Sequence, residues 1–154
     1  MGAKDFAFFI LLNLPFFISS IISVTFPRVR HTKENNPLSQ KIMLYLTIAL
    51  FVLSAVFGLT ILVKWLTKKD ASRAVIYTHG IFAALALVLL LSYAVQNPGN
   101  FPKASIILFL IAALGGFYMF FQDLRGKASP MAIAFIHALL AVGGVVTLLV
   151  FVFA

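Results

Sequence analysis

Long apolar stretches separated by short polar segments divide this chain into five predicted membrane-spanning helices. About 20 consecutive apolar residues allow a helix to cross a bilayer, and in lipid only a helix satisfies its own backbone groups over such a run. The stretches that meet this length are approximately residues 6–26, 42–64, 74–95, 104–122 and 131–153. Because no polar connection is long enough to form a soluble domain, the pattern predicts an all-α, polytopic membrane protein.

The last two-thirds of the chain contain an internal repeat. Sliding the sequence along itself until His79 lies on His137 also places Gly58 on Gly116, without a gap. Other pairs aligned by the same shift are Ala83 with Ala141 and Tyr77 with Phe135. The repeat unit is two helices, and duplicated halves are a known way to build membrane proteins.

This repeat predicts how the chain is organised. An extra N-terminal transmembrane helix and a basic loop are expected in residues 1–41, a first helical hairpin in 42–95 and a second in 96–154. The last four helices are expected to form one bundle of two tandem hairpins. The first apolar run follows Lys4 but lacks the small-residue cleavage pattern of a secretion signal, so we interpret it as a retained helix.

Composition supports a membrane protein and changes how the charge is interpreted. Hydrophobic residues make up 62% of the chain and charged residues 10%, with a mean hydropathy of +1.08. A net charge of +8 would favour nucleic acid as the ligand of a soluble protein. Here the basic residues stand at the ends of predicted helices, where anionic lipid headgroups are the better partner, and no nucleic acid is expected. The absence of cysteine excludes disulfides, thiolate metal sites and covalent haem attachment.

The distribution of basic residues predicts an orientation. With the N-terminus on one side of the membrane, that side carries seven of the twelve Lys and Arg residues and the other carries five. The positive-inside rule then places the N-terminus in the cytoplasm and the C-terminus outside. The expected location is a bacterial inner (cytoplasmic) membrane.

The two repeated histidines form the candidate site. The third and fifth spans run in the same direction, and His79 and His137 each lie one to two turns inside their span, so similar depths are expected. An imidazole in the apolar region needs a partner, and ionisable residues inside a membrane are functional candidates by default.

Small residues accompany both histidines. The set comprises Ala83 and Ala141, which follow the histidines on the same helical faces, and the patterns Ser54-x-x-x-Gly58 and Ala112-x-x-x-Gly116 on the preceding helices. Small residues let helices approach closely or leave room for a flat ligand. Two imidazoles from different helices at one depth are what a b-type haem requires, since iron takes one nitrogen on each face of the macrocycle. We therefore expect one b-type haem with His79 and His137 as metal ligands. Tyr77 and Phe135 are expected to pack near it.

In architecture, residues 42–153 resemble the membrane b-type cytochromes, in which histidines on like-directed helices of a four-helix bundle hold haem. The resemblance rests on His79, His137 and the two aligned glycines. It implies electron transfer with a quinone or within a respiratory-type complex. Many members of that class carry two haems and four histidines, whereas His31 of this chain lies in a loop, so a two-haem path across the membrane is not expected.

A second interpretation involves no cofactor. A histidine near a helix end can extend to the headgroup zone or hydrogen-bond a carbonyl of another helix. The protein would then be a non-catalytic structural or accessory subunit of a larger membrane complex. Other chemistry is disfavoured, because the predicted spans contain no carboxylate for a proton relay and two histidines leave a zinc site short of ligands.

Overall fold

The computed structural model describes residues 37–154, which form four α-helices and no strand. The helices are α1 (Pro37–Leu66), α2 (Arg73–Gln96), α3 (Lys103–Leu124) and α4 (Met131–Phe153). Each is long and apolar enough to cross a membrane. The prediction of all-α structure, with helices long and apolar enough to span a membrane, is confirmed for these four. The predicted first span, residues 6–26, lies outside the described residues.

Helix α1 begins at Pro37, ahead of the predicted start of the span at residue 42, so the assignment of residues 37–41 to a loop was wrong. Proline suits the first helical position, because its φ angle is already helical and its missing N–H would have no partner there. Side-chain amides hold this polar turn in place. Asn97 Nδ2 donates to Gln40 Oε1 at 2.8 Å, and Gln40 Nε2 donates to Gln96 Oε1 at 3.2 Å. These bonds join the start of α1 to the end of α2.

Both hairpins begin their turn with the same kind of helix cap. A residue just after each helix adopts a left-handed conformation: Lys68 with φ of 54° after α1, and Gly126 with φ of 68° after α3. In the first cap, the Lys68 N–H donates to Trp65 O at 3.1 Å and the Lys69 N–H donates to Lys64 O at 2.8 Å. In the second cap, the Gly126 N–H donates to Asp123 O and the Lys127 N–H donates to Gln122 O, both at 2.9 Å. This pair of bonds is the Schellman motif. Glycine adopts the left-handed conformation without steric penalty, whereas lysine does not.

Several buried positions of the two hairpins coincide under the shift that aligns the histidines. Those of α1 and their counterparts in α3 include Thr47 and Ser105, Phe51 and Phe109, Ser54 and Ala112, and Ile61 and Met119. Those of α2 and α4 include Ala86 and Gly144, and Leu90 and Leu148. Phe51 and Phe109 stack on each other, with ring centroids 3.8 Å apart and an interplanar angle of 6°. This stack joins the two hairpins inside the bundle.

The outward faces of the helices are apolar. Large side chains such as Leu59, Leu114 and Leu139 are 61%, 71% and 72% exposed. Soluble proteins rarely expose contiguous apolar patches larger than a few hundred Å². A lipid environment removes that penalty, and the apolar outward faces of the described helices are consistent with a bilayer.

Candidate functional site

The two histidines lie at equivalent places in α2 and α4. His79 follows the first residue of its helix, Arg73, by the same interval as His137 follows Met131. At 1.5 Å per residue, both lie about 9 Å along their helices. The structure brings them together across the two hairpins, with ring centroids 6.1 Å apart and an interplanar angle of 73°.

Backbone carbonyls hold both imidazoles by the same nitrogen. His79 Nδ1 lies 2.8 Å from Ser54 O, and His137 Nδ1 lies 2.7 Å from Ala112 O. A carbonyl oxygen only accepts hydrogen bonds, so Nδ1 must carry a proton in each ring. The neutral imidazole then has its lone pair on Nε2, and within residues 37–154 neither Nε2 makes a hydrogen bond. Metal-binding histidines are commonly held in this way, with the other ring nitrogen donating to a carbonyl or carboxylate.

Ser54 adds two contacts that the second hairpin lacks. Its hydroxyl donates to His79 O at 3.0 Å and lies 3.0 Å from His79 Nδ1, which donates to both oxygen atoms of Ser54. Ala112 occupies the equivalent position beside His137 and has no hydroxyl. From the sequence, Ser54 was predicted only to be a small residue at a helix contact. The available signal was a serine that precedes one histidine at the same interval at which an alanine precedes the other.

Two glycines make room for the imidazoles. A Cβ atom added at Gly58 would lie 2.8 Å from His79 Cε1 and 3.0 Å from its Nδ1. At Gly116 the corresponding distances to His137 are 3.1 and 3.5 Å. The prediction that these glycines lie near the histidines agrees with this geometry. The imidazole rings themselves fill the space beside the glycines.

The remaining predicted site residues differ in burial and in the contacts they make. Ala83 and Ala141 follow the histidines by one turn on α2 and α4, and both are half-buried. The Tyr77 ring meets Phe120 of α3 edge-on, with centroids 5.9 Å apart. Phe135 is 44% exposed and, two positions before the histidine on α4, points to a different side of that helix. Phe135 thus lies on the outward surface of the described bundle.

The separation of the two ring centroids is close to that of two imidazoles bound to one metal atom. A metal–imidazole bond is about 2 Å long and the nitrogen lies about 1.2 Å from the ring centre, so rings on opposite sides of a metal have centroids about 6.4 Å apart. The observed separation is 6.1 Å, which is also an ordinary distance for two rings in edge-on contact. No group of three or more His, Cys, Asp or Glu side chains within residues 37–154 could hold a metal. A metal held here would take its remaining ligands from a non-protein group, such as the four nitrogens of a porphyrin.

No known protein family, curated protein or solved structure matches this chain. The histidine pair and its surroundings are therefore the basis for a functional proposal.

Charged residues are unevenly distributed between the two ends of the described bundle. The end nearer the histidines carries six basic residues and two acidic ones: Lys64, Lys68, Lys69, Arg73, Arg125 and Lys127, with Asp70 and Asp123. The other end carries only Lys41 and Lys103 among residues 37–154. Carboxylates or phosphates at the membrane surface would find their counter-charges at the end nearer the histidines.

Proposed function

We propose that this protein holds one b-type haem between His79 and His137 and uses it for electron transfer within the membrane. The observation that carries the proposal is the histidine pair. Each ring is fixed by a carbonyl at Nδ1, which leaves Nε2 as the nitrogen that could hold the haem iron, and the ring centroids lie 6.1 Å apart. When bound, the haem supplies a one-electron centre.

The residues around the histidines have definite roles in this proposal. The carbonyl groups of Ser54 and Ala112 keep the imidazoles in the tautomer whose Nε2 could bind a metal. Gly58 and Gly116 allow each ring to approach its carbonyl. The basic residues at the nearer end of the bundle provide partners for the propionates.

We also propose that the two hairpins are tandem repeats, each contributing half of the site. Support comes from features that recur at equivalent positions of both hairpins: a histidine held by a carbonyl, a glycine against that histidine, a buried phenylalanine and a Schellman cap. The more basic end would face the cytoplasm by the positive-inside rule, in a bacterial inner membrane. The electron partner would be a quinone or another subunit of a respiratory-type complex.

Absorption spectra of the detergent-purified full-length protein test the haem. The expected result is one acid-extractable b-type haem per chain with a six-coordinate spectrum in both oxidation states. His79→Ala and His137→Ala should each abolish six-coordination, whereas His31→Ala, a control for loss of a histidine, should leave the spectrum unchanged. A folded, colourless protein that takes up no added haemin would overturn the proposal.

One observation favours a second candidate function, that of an accessory subunit without a cofactor. The Nδ1 bonds to Ser54 and Ala112, together with the edge-on contact of the rings, already give both histidines partners inside the bundle. On this alternative the histidine pair fastens the hairpins together, and the protein supports a larger membrane complex through its outward faces. Co-purification of other subunits with a colourless protein would support it.

A further inference from the structure

A groove opens on the surface of the second hairpin, between the start of α3 and the end of α4. Its volume is about 350 Å³, within the size range of small-molecule sites. Residues 101–105 form one side of its lining, and Thr147, Val150 and Phe151 form the other. Since the histidines lie near the start of α4, the groove is at the opposite end of the described bundle and is separate from the histidine pair.

The side-chain hydroxyl groups in the groove already have partners. The Thr147 hydroxyl donates to Gly143 O at 2.9 Å, so the Ser105 hydroxyl, 2.9 Å from Thr147 Oγ1, is the donor in the bond between the two side chains. Ser105 is 1% exposed. The side chains of the groove therefore offer apolar surface to a ligand, with Lys103 as the one charged group in the lining.

Lys103 lies at the level of the lipid headgroups. It is the first residue of α3, whose 22 residues extend about 33 Å at 1.5 Å per residue, close to the thickness of the bilayer core, about 30 Å. Its Nζ atom lies 5.4 Å from the centroid of the Phe101 ring, a cation–π contact at the edge of the groove. The acidic residues among residues 37–154, Asp70 and Asp123, are both at the other end of the bundle. Within the described residues, no carboxylate therefore neutralises Lys103.

The first hairpin has a different set of residues at the equivalent positions. Under the shift that aligns the histidines, Lys103, Ala104 and Thr147 correspond to Tyr45, Leu46 and Leu89. The cation is replaced by an aromatic ring that stacks on Phe153, with centroids 6.1 Å apart, and the small alanine by a leucine. The chemistry of the groove is thus a feature of the second hairpin and not of the repeat.

We propose that this groove binds one anionic phospholipid, with the phosphate at Lys103 and an acyl chain along Val150 and Phe151. An apolar groove with an unneutralised cation at the membrane surface complements a lipid that carries an anionic headgroup on an apolar chain. The site does not require haem, so it goes beyond the proposed electron transfer.

The test is photo-labelling of the full-length protein in mixed micelles with phosphatidylglycerol that carries a diazirine on one acyl chain, followed by peptide mass spectrometry. Label should concentrate at the start of α3 and the end of α4, and unlabelled phosphatidylglycerol should compete at lower concentration than phosphatidylcholine. Lys103→Gln should weaken labelling about fivefold, the effect of one basic residue at a membrane surface. Lys41→Gln removes a charge at the same end but outside the groove, and should label like wild type.

A second variant pair tests the groove without changing its charge. Ala104→Leu introduces the side chain that the first hairpin carries at the equivalent position, and should lower labelling by occupying part of the groove. Ala84→Leu makes the same change at an exposed alanine of α2 outside the groove and should label like wild type. Far-ultraviolet circular dichroism checks that both variants keep their helices.

Several outcomes would overturn the proposal. Label spread evenly over the outward faces, equal competition by the two lipids, or unchanged labelling of Ala104→Leu would each do so. Equal losses in Lys103→Gln and Lys41→Gln would as well, because the charge of this end, and not the groove, would then attract the lipid.

A photo-crosslinking amino acid at Val150 identifies the occupant directly. Capture of phosphatidylglycerol agrees with the proposal, whereas capture of residues 1–36 or of a second copy of the chain overturns it. A colourless protein that labels as expected would remove the haem and leave the lipid site standing, and a haem protein without specific labelling would do the reverse.

Discussion

Gly58→Ala should distort the His79 position because the added methyl group overlaps the imidazole. The new Cβ atom would lie 2.8 Å from His79 Cε1, whereas carbon atoms in favourable contact are about 3.5–4.0 Å apart. The ring must therefore retreat by roughly 0.7 Å. It is held at 2.8 Å by the Ser54 carbonyl, and a movement of that size stretches the bond to about 3.5 Å, beyond normal hydrogen-bond length.

The expected energy follows from two opposing effects. Overpacking of this kind destabilises a core by about 1–3 kcal/mol, while replacing a helical glycine with alanine stabilises the helix by about 1 kcal/mol. Gly80→Ala isolates the second effect, since a Cβ atom at Gly80 of α2 would meet nothing within 4 Å. Gly58→Ala should therefore be less stable than Gly80→Ala by about 1–3 kcal/mol. Gly116→Ala, with a nearest contact of 3.1 Å, should lie between them.

Unfolding of the purified protein in mixed micelles, induced by SDS and followed by far-ultraviolet circular dichroism, measures these differences. Gly80→Ala should be the most stable of the three variants, Gly116→Ala intermediate and Gly58→Ala the least stable. Equal stability of the Gly58 and Gly80 variants would refute the reasoning, because it would mean that His79 does not occupy the space beside Gly58.

The same unfolding assay tests three further expectations. Lys68→Gly should stabilise the protein by about 1 kcal/mol, because glycine adopts the left-handed conformation without strain, and Gly126→Ala should destabilise it by a similar amount. If both substitutions changed the stability in the same direction, the two left-handed caps would be contradicted. Ser54→Ala should lose about 0.6 kcal/mol, the average for a hydrogen bond between membrane helices, and no loss would show the hydroxyl bond to be dispensable. Gly144→Ala places a methyl group 2.8 Å from the stacked phenylalanine ring of α3 and should be less stable than Gly143→Ala; the reverse order would argue against the stack.

The four described helices were predictable because the bilayer imposes one strong requirement on sequence, about 20 apolar residues in a helix. The ends of these helices were less predictable from the sequence. The first turn of α1 contains Ser39 and Gln40, and amide bonds join Gln40 to Gln96 and Asn97 at the end of α2, which are distant in sequence.

The candidate site was predictable to a similar degree. The repeat spacing and the helix directions were enough to expect His79 near His137. The role of Ser54 was not readable, because a serine or threonine in a helix commonly bonds its own preceding turn, as Thr47 does with Met43 O at 2.8 Å. Only the packing of α1 against α2 shows that the Ser54 hydroxyl reaches across to His79. Phe135 was expected near the site from its alignment with Tyr77, an argument that took no account of side-chain direction.

The helices pack more closely within each hairpin than between the hairpins, and Phe51 stacked on Phe109 is the closest ring contact that joins the two. The separation of the histidine rings is consequently a property of the contact between hairpins, since each ring is fixed to its own hairpin by a carbonyl. A change in the thickness of the surrounding bilayer is therefore expected to change that contact. For spectroscopy of this protein, the detergent or lipid is thus an experimental variable of the site itself, to be chosen and reported like pH or temperature.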